Sequence, residues 1–405
     1  MLAAMSEPPV LTLEKDLRRA IRRGHPWVFE QALARKRPRL HPGQLVRIGY
    51  ARELVALAYA DPGRSIAARI LDRDAHATLD TAWVAERARA AVRCRMRDPR
   101  LARTNAWRLI HGENDYMPGL VIDLYDDTAV VVFDGPGAFG FWRPWLDAVL
   151  DGIRTSGVDV PRLWLRDVRH AKGIRIADEM RALGLPGPPE RIRMHEGEAR
   201  FEVDVRHGHK TGFFLDQRDN RQLVGQLAAG ARVLDVCSYA GGFAVHAALG
   251  GALQVIAIDL AEPALAAARR NFEASGLDAG DHGFVKADAF EFLDREQSRG
   301  HRYDLIVLDP PSFAPNERAR SRALEAYRRL DTLALHILEP GGWLMAASCS
   351  SHVTTDDSLR VLQEAAHASG RRIRVTEVRG AASDHPIRPG FPEGHYLSFL
   401  VVAVD

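Results

Sequence analysis

The sequence predicts an α/β protein in which a large doubly wound domain follows two smaller domains. Three observations predict this class. A strand, a tight turn, a helix and a second strand succeed one another between Val233 and Leu260. Strands and helices alternate from there to the C-terminus, and short β-like runs separated by Pro-Gly turns occur near the N-terminus. We therefore expect a small β-barrel over residues 1–75, an α+β domain over 76–200 and the doubly wound domain over 201–405.

The central motif is VLDVCSYAGGFAVHAALGGALQVIAIDL, which starts at Val233. Gly241 and Gly242 allow a sharp turn between the first strand and the helix, as in a Rossmann-like βαβ unit. Such a turn brings backbone N–H groups to a ligand at the N-terminus of the helix. Asp259 ends the second strand, 24 residues after Asp235, where an acid accepts hydrogen bonds from ribose hydroxyls. A ligand that contains ribose is therefore expected.

The turn favours S-adenosylmethionine over a dinucleotide. A dinucleotide site would have the pattern G-x-G-x-x-G, but two of the three glycines are missing, since Cys237 and Tyr239 stand at their positions. Asp235 is available for an ammonium group, which S-adenosylmethionine carries. The alternative interpretation is an ordinary buried βαβ unit without a ligand.

Composition restricts the class of protein. The chain has 405 residues, 46% of them hydrophobic and 27% charged, with a net charge of +2. No apolar run approaches the ~20 residues of a membrane span, and the first residues do not resemble a secretory signal. A cytoplasmic protein is expected. The three cysteines, Cys94, Cys237 and Cys349, form no C-x-x-C pair, so we expect neither a disulfide framework nor a metal site.

The N-terminal runs QLVRIGY, ELVALAYA and SIAARIL are separated by HPGQ and DPGR, which is typical of a small barrel. Residues 1–40 hold nine basic and four acidic side chains. A basic barrel with Trp27 and Phe29 could bind RNA through phosphate contacts and shape. The alternative is a solvated basic face over a core tryptophan. A helix over residues 81–97 and a hairpin around Asp126 and Asp127 are expected in the domain that follows.

Polar and aromatic residues are mixed in HGHKTGFFLDQRDNRQLV, which begins at His207 just before the first strand of the large domain. This segment could fold over the cofactor, with Phe213 and Phe214 as apolar walls and Gln217 and Arg218 as polar contacts. A helix N-terminus with two core phenylalanines is the alternative.

Later strands end in further polar residues. FVKAD ends in Asp288, where an adenine amino group needs an acceptor, and YDLIVLDPPSF delivers Asp309 to the crevice at the carboxyl ends of the strands. The strand WLMAASC ends at Cys349 beside Asp309, and two more strands complete the sheet as a hairpin.

With VLDVCSYAGGF, FVKAD, LDPPSF, ASCSSHV, HKTGFFLDQRDNR and SDHPIRPGFPEGHYL in view, the chain resembles class I S-adenosylmethionine-dependent methyltransferases that form 5-methylcytosine in large-subunit ribosomal RNA. The resemblance implies an N-terminal PUA domain, a central α+β domain and a Rossmann-like methyltransferase domain. It also implies large-subunit RNA as the partner and Cys349 as the nucleophile, with Asp309 beside it; a homodimer is left open.

By the same resemblance, Asp235 and the turn residues hold the methionine part of the cofactor, Asp259 the ribose and Asp288 the adenine. Leu260 and Ala289, which follow two of these acids, belong to the same expected site. The turn residues are Ser238, Tyr239, Ala240 and Gly241.

One departure concerns the residues after Asp309. Other RNA cytosine methyltransferases carry a second cysteine after the proline of this motif, whereas this chain has Pro311 and Ser312. Three rival functions are a guanine or adenine amino-group methyltransferase, a non-catalytic RNA-binding or cofactor-sensing module, and an NAD dehydrogenase. Cys349 counts against the first, the retained acids against the second, and the turn against the third.

Overall fold

The computed structural model describes residues 7–166, 168, 174–314 and 316–405. These residues form two compact units. The first contains the described residues up to Ile192 together with two later segments, Val203–Phe214 and Ser383–Gly394. The second contains Arg193–Glu202, Leu215–Ala382 and His395–Asp405. Within the described ranges, no helix is both long and apolar enough to cross a lipid bilayer.

The first unit begins with a five-stranded sheet of short strands. Its elements are β1 (Val10–Thr12), α1 (Arg18–Arg22), β2 (Trp27–Phe29), β3 (Leu45–Tyr50), β4 (Glu53–Ala60) and β5 (Ile66–Asp72). The strand order is β1-β3-β4-β5-β2, with β1 parallel to β3 and the other pairs antiparallel. Apolar side chains such as Val46, Ile48 and Ala58 face its core. The three strands predicted at QLVRIGY, ELVALAYA and SIAARIL are confirmed as β3, β4 and β5.

An α+β layer continues the first unit. Its elements are α2 (Thr81–Met96), β6 (Ala106–His111), β7 (Leu120–Tyr125), β8 (Thr128–Phe133), α3 (Pro136–Trp142), α4 (Leu146–Arg154), β9 (Arg162–Leu165) and α5 (Ile176–Leu183). The strands lie in the order β6-β7-β8-β9. Tyr125 pairs with Thr128 across a two-residue turn, so the hairpin predicted at Asp126 and Asp127 is confirmed.

The segment Ser383–Gly394 folds as part of the first unit although it follows most of the chain. Asp384 accepts a 2.8 Å hydrogen bond from the backbone N–H of Arg108, and its carbonyl oxygen accepts from Arg95 Nε at 3.1 Å. The ring of Phe391 lies 4.7 Å from the ring of Trp27. Trp27 is half-buried, and its indole N–H donates to Glu113 at 2.8 Å, so it packs within this unit without belonging to the buried core of the sheet.

Thr211 and Phe213 belong to the other late segment of the first unit. Thr211 Oγ1 donates to Asp123 at 2.6 Å, and the backbone N–H of Phe213 donates to Tyr125 Oη at 3.0 Å. Both contacts are buried. They attach the segment to β7, so the first unit contains buried contacts between residues that are far apart in sequence. The expected three-domain boundaries stay a prediction.

The second unit is built on a seven-stranded sheet. Its elements are β10 (Ile192–Glu196), β11 (Ala199–Val203), α6 (Arg218–Leu227), β12 (Arg232–Val236), α7 (Gly242–Leu249), β13 (Gln254–Asp259), α8 (Glu262–Ala274), β14 (Gly283–Lys286), α9 (Ala289–Arg299), β15 (Tyr303–Leu308), α10 (Arg320–Ile337), β16 (Leu338–Ser348), α11 (Thr355–Ser369), β17 (Ile373–Arg379) and β18 (Ser398–Val404). Strands β10 and β11 form a separate two-stranded ribbon.

The sheet order is β14-β13-β12-β15-β16-β18-β17. Strands β12 to β16 are parallel, and β18 is antiparallel to both of its neighbours, β16 and β17. This confirms the predicted Rossmann-like order with a hairpin at the end. The direction of the strand order reverses between β12 and β15, which creates a crevice outside their carboxyl ends. Ligands of open α/β sheets bind at such a point, so this crevice is the candidate site.

Candidate active site

The crevice is bordered by two acids from neighbouring strands. Asp235 lies in β12 opposite Val307 of β15, and Asp309 follows the last residue of β15. The backbone N–H of Asp309 donates to the Val236 carbonyl at 3.3 Å. The structure thus brings the two predicted acids to the same edge of the sheet.

In the turn after β12, every second residue has a left-handed backbone conformation. Cys237, Tyr239 and Gly241 all have positive φ, of 63°, 48° and 74°. Two of these residues carry side chains, which makes the left-handed conformation costly, by about 1–2 kcal/mol each. A side chain at Gly241 would place its Cβ 2.8 Å from the Cβ of Ala268. The predicted sharp turn is therefore present, and strained backbone of this kind is common where a protein binds a ligand.

Asp235 is completely buried, and its two carboxylate oxygens differ in their hydrogen bonding. One carboxylate oxygen accepts from the Ala244 N–H at 3.0 Å, while the other has no hydrogen-bond partner among the described residues. Burial, followed by the charges of Asp309 and Asp259, raises its pKa to about 8. A cationic group would ionise this acid and use the free oxygen. The ammonium of S-adenosylmethionine fits that requirement.

Two other turn residues face inward. The hydroxyl of Ser238 is buried, with no partner among the described residues, and the Ala240 carbonyl accepts from Asn271 at 2.8 Å. Ser238 is therefore a second polar group near the turn with hydrogen-bonding capacity left. Asn271 was not predicted, because its partner lies 31 residues away in another element.

Asp259 holds the turn from the neighbouring strand. One of its oxygens accepts from the Tyr239 N–H and the other from the Ala261 N–H, both at 2.9 Å. A carboxylate has about four acceptor positions, so capacity for two ligand hydroxyls remains. The next residue, Leu260, is an apolar side chain that is 65% exposed.

Asp288 has a structural role that the sequence interpretation missed. Its Oδ1 accepts from the N–H groups of Phe290 and Glu291, at 2.9 and 3.1 Å, so it is the N-cap of α9. An aspartate directly before a helix with glutamate at the third position is a recognisable start signal. The cap leaves Oδ2 available, and Ala289 begins the helix beside it.

Gln217 lies against Asp309. Its amide donates to Asp309 Oδ1 at 3.0 Å and its carbonyl accepts from Asn220 at 2.7 Å. Asn220 in turn accepts from Arg379 Nε at 3.0 Å. This chain of contacts orients the carboxylate, and neither Asn220 nor Arg379 was predicted. Arg218 is fully buried and donates to Asp219 at 3.2 Å.

Phe213 and Arg218 are two further predicted contacts of the cofactor. Phe213 is a residue of the first unit, where its ring is buried. Its predicted role as a wall of the cofactor site, and that of Arg218 as a polar contact, stay predictions.

Cys349 follows β16 directly. Its sulfur lies 3.8 Å from the carbonyl oxygen of Pro310, the residue after Asp309, and the side chain is partly exposed. The neighbouring Ser348 hydroxyl donates to Tyr327 Oη at 3.2 Å, and Ser350 donates to the Ala314 carbonyl at 3.0 Å. Both serines are buried, so they fix the backbone on either side of the thiol. The predicted neighbours Cys349 and the Asp-Pro-Pro segment are brought together.

Tyr327 completes this wall. Its ring lies 4.9 Å from that of Phe313. Burial raises the pKa of Tyr327 to about 12, so the phenol stays protonated at neutral pH. It is a neutral hydrogen-bonding group behind the strand end that carries Cys349.

Two family models match the chain. Residues 181–378 match S-adenosylmethionine-dependent methyltransferases, and residues 11–73 match PUA-like domains. Among solved structures, the chain is similar to a candidate methyltransferase of Streptococcus mutans that depends on S-adenosylmethionine (SAM). The TM-score is 0.80 and the identity 22%, and the match covers 98% of this chain and 100% of the other. A structure of SMU.776 in complex with SAH gives a TM-score of 0.82 at the same identity and coverage. At this identity the likeness shows the fold.

Curated relatives extend over nearly the whole chain. The ribosomal RNA large subunit methyltransferase of Deinococcus radiodurans is 36% identical over 416 residues and covers 100% of both chains. Ribosomal RNA large subunit methyltransferase I is 36% identical in Aeromonas salmonicida, covering 96% of this chain and 98% of the relative. The protein of that name in Cronobacter sakazakii is 34% identical, covering 96% and 97%. This chain therefore belongs to the S-adenosylmethionine-dependent ribosomal RNA large subunit methyltransferase family.

Proposed function

We propose that the protein methylates carbon 5 of a cytosine in large-subunit ribosomal RNA, with Cys349 as the nucleophile. The contact of the Cys349 sulfur with the Pro310 carbonyl, 3.8 Å away, carries this proposal. Because β15 and β16 are parallel neighbours, their carboxyl ends present Asp309 and Cys349 at one edge. The names of the relatives supply the class of RNA.

A thiol is needed because carbon 5 of cytosine is a poor nucleophile. When the Cys349 thiolate adds to carbon 6, a carbon–sulfur bond forms and the electrons of the 5,6 double bond make carbon 5 nucleophilic. Asp309 would donate a hydrogen bond or a proton at ring nitrogen 3, where negative charge accumulates. S-adenosylmethionine supplies the electrophilic methyl group when it is bound.

Release reverses the first addition. After carbon 5 has received the methyl group, a base removes its proton, the 5,6 double bond forms again and the carbon–sulfur bond breaks, returning the electrons to Cys349. Ser312 follows the two prolines in this chain, so no second thiol at that position assists the step. Gln217 keeps Asp309 oriented through the 3.0 Å hydrogen bond during the cycle.

The test is methylation of protein-free large-subunit RNA, followed by bisulfite mapping of 5-methylcytosine. We expect Cys349→Ala to lose methylation while its affinity for SAM and for RNA stays within about twofold. Cys94→Ala, which removes an exposed thiol of the first unit, and Cys237→Ala should remain active. Full turnover by Cys349→Ala would reject the covalent mechanism and favour amino-group methylation, which requires no cysteine.

A second measurement traps the adduct. RNA that contains 5-fluorocytosine has no proton to remove at carbon 5, so the carbon–sulfur bond should persist and a covalent protein–RNA complex should accumulate. The complex should be absent with Cys349→Ala. If it forms equally with that variant, another residue is the nucleophile.

A further inference from the structure

Tyr116 is an exposed aromatic residue held in a left-handed backbone. It follows the 3-10 turn Gly112–Asp115, with φ 59° and ψ 24°, and is 49% exposed. A tyrosine in this conformation is strained, whereas glycine or asparagine adopts it readily. The ring is therefore presented to solvent at an energetic cost.

Buried contacts hold the turn in place. Asp115 accepts a 2.7 Å hydrogen bond from the guanidinium of Arg95 and a 2.6 Å hydrogen bond from the His111 N–H. Arg95 is almost completely buried. The backbone before Tyr116 is thus fixed from within the unit.

Two arginines contact Tyr116, one at its ring and one at its backbone. The guanidinium of Arg388 lies 4.1 Å from the ring centroid, and Arg87 donates to the Tyr116 carbonyl at 3.4 Å. Burial, followed by the charge of Arg73, lowers the pKa of Arg388. Burial also lowers the pKa of Arg87, which Arg388 lowers further and Asp72 raises. Arg388 is therefore repelled by the positive charges of both Arg73 and Arg87.

Carboxylates compensate only part of this charge. Arg87 pairs with Asp72 at 2.7 Å. Arg73 and Arg388 instead donate to backbone carbonyls, at 3.1 and 3.2 Å, and within the described part of the chain no carboxylate forms an ion pair with either. A phosphate would relieve the repulsion between these two guanidinium groups, and arginine is suited to bind it through several N–H groups.

We propose that Tyr116, Arg388 and Arg73 form a subsite for one unpaired nucleotide of the RNA substrate, with the base stacked on Tyr116 and the phosphate held by the two arginines. Aromatic and guanidinium planes are the surfaces on which unpaired RNA bases stack. A double-stranded segment offers no free base face, so the subsite discriminates single-stranded from paired RNA. This inference rests on the proposed RNA substrate and adds the chemistry of its recognition.

The strained backbone gives a sharp test. Tyr116→Gly removes the ring and relieves the left-handed strain, so its thermal stability should equal or exceed that of the parent, whereas a structural role for the ring predicts a loss. We expect Tyr116→Gly to weaken binding of protein-free large-subunit RNA about tenfold, with binding of a duplex RNA unchanged. Tyr116→Phe keeps the ring and should bind as the parent does.

The arginines are tested by salt dependence. Arg73→Gln removes one cation from the phosphate, so it should flatten the plot of log affinity against log salt by about 0.7 to 0.9 units. Arg93→Gln, an exposed arginine on α2, is the matched control and should leave the slope unchanged. Parental affinity in Tyr116→Gly, or an equal loss on duplex RNA, would overturn the subsite. Failure of the parent protein to methylate RNA that it binds would instead overturn the proposed reaction.

Discussion

The side-chain amide of Gln217 donates a 3.0 Å hydrogen bond to the carboxylate of Asp309. Gln217 is in turn held by Asn220, so a residue before the first strand of the sheet orients an acid at the end of its fourth strand. The relationship assigns Gln217 a positioning role for Asp309 and makes it a direct target for mutation.

Gln217→Glu should make the reaction sensitive to pH. Two carboxyl groups would then share one site, which raises the pKa of one of them because both cannot ionise together. Methylation should be impaired most at high pH, where both groups are charged, and should recover as the pH falls. Gln217→Met is the control, since it removes the hydrogen bond without adding charge. A constant loss from about pH 6 to 8.5 in both variants would contradict this role.

SAM affinity should rise with pH because of Asp235. Its pKa of about 8 means that the free protein carries a mostly protonated acid at pH 7. If binding of the ammonium group ionises Asp235, each binding event releases a proton. Affinity should therefore increase between about pH 5.5 and 7.5, by at most about tenfold per pH unit.

Calorimetry in buffers of different ionisation enthalpy measures that proton directly. Asp235→Asn cannot release it, so its weaker binding should not depend on pH in this range. An affinity of the parent protein that is flat from about pH 5.5 to 7.5 would show that Asp235 does not change its charge on binding.

Asp259→Ala should weaken SAM binding at least tenfold. Each charge-assisted hydrogen bond contributes about 1.5 to 3 kcal/mol, and the variant also loses the bonds that fix Tyr239 and Ala261. Asp278→Ala is a matched control, because Asp278 likewise accepts a backbone N–H in a short turn of the same unit. Calorimetry should show unchanged affinity for the control, and unchanged affinity for Asp259→Ala would reject the assignment to the ribose.

Asp331 should make the protein less stable as the pH rises. It is buried in α10 beside a cavity of about 20 Å³ that Tyr327 and Ser348 also line. Burial raises its pKa to about 8, against about 4 in an unfolded chain. Its contribution to folding is therefore most favourable at or below about pH 4. It is lost as the pH rises to about 8, by at most about 1.4 kcal/mol per unit.

Urea unfolding across about pH 5 to 8 measures this contribution. Asp331→Asn should lose part of the slope of unfolding free energy against pH and should be more stable than the parent at about pH 8. Asp294→Asn, on the exposed face of α9, should leave the slope unchanged. Parallel slopes for the parent and Asp331→Asn would mean that Asp331 is charged in the folded protein.

The acids at the carboxyl edge of the sheet could be predicted, because the ends of strands follow from the local hydrophobic pattern of the sequence. Asp235, Asp259 and Asp309 lie at or next to the carboxyl ends of parallel strands, and parallel strands direct these ends to one side. The hydrogen bonds of these acids could not be predicted in the same way. Asn220 meets Arg379 across 159 residues, and no periodicity records such a pair. Asp288 is different, since its capping role follows from the helix that begins directly after it.

The late segment Ser383–Gly394 has a consequence for synthesis of the protein on the ribosome. Chains emerge from the N-terminus, and domains usually fold as they appear. The first unit cannot do so completely, because the buried N–H of Arg108 and the guanidinium of Arg95 find Asp384 only after almost the whole chain has been translated. Until then these two donors, which are buried in the finished protein, lack that partner. Completion of the N-terminal half is thus delayed until the C-terminal half has been made.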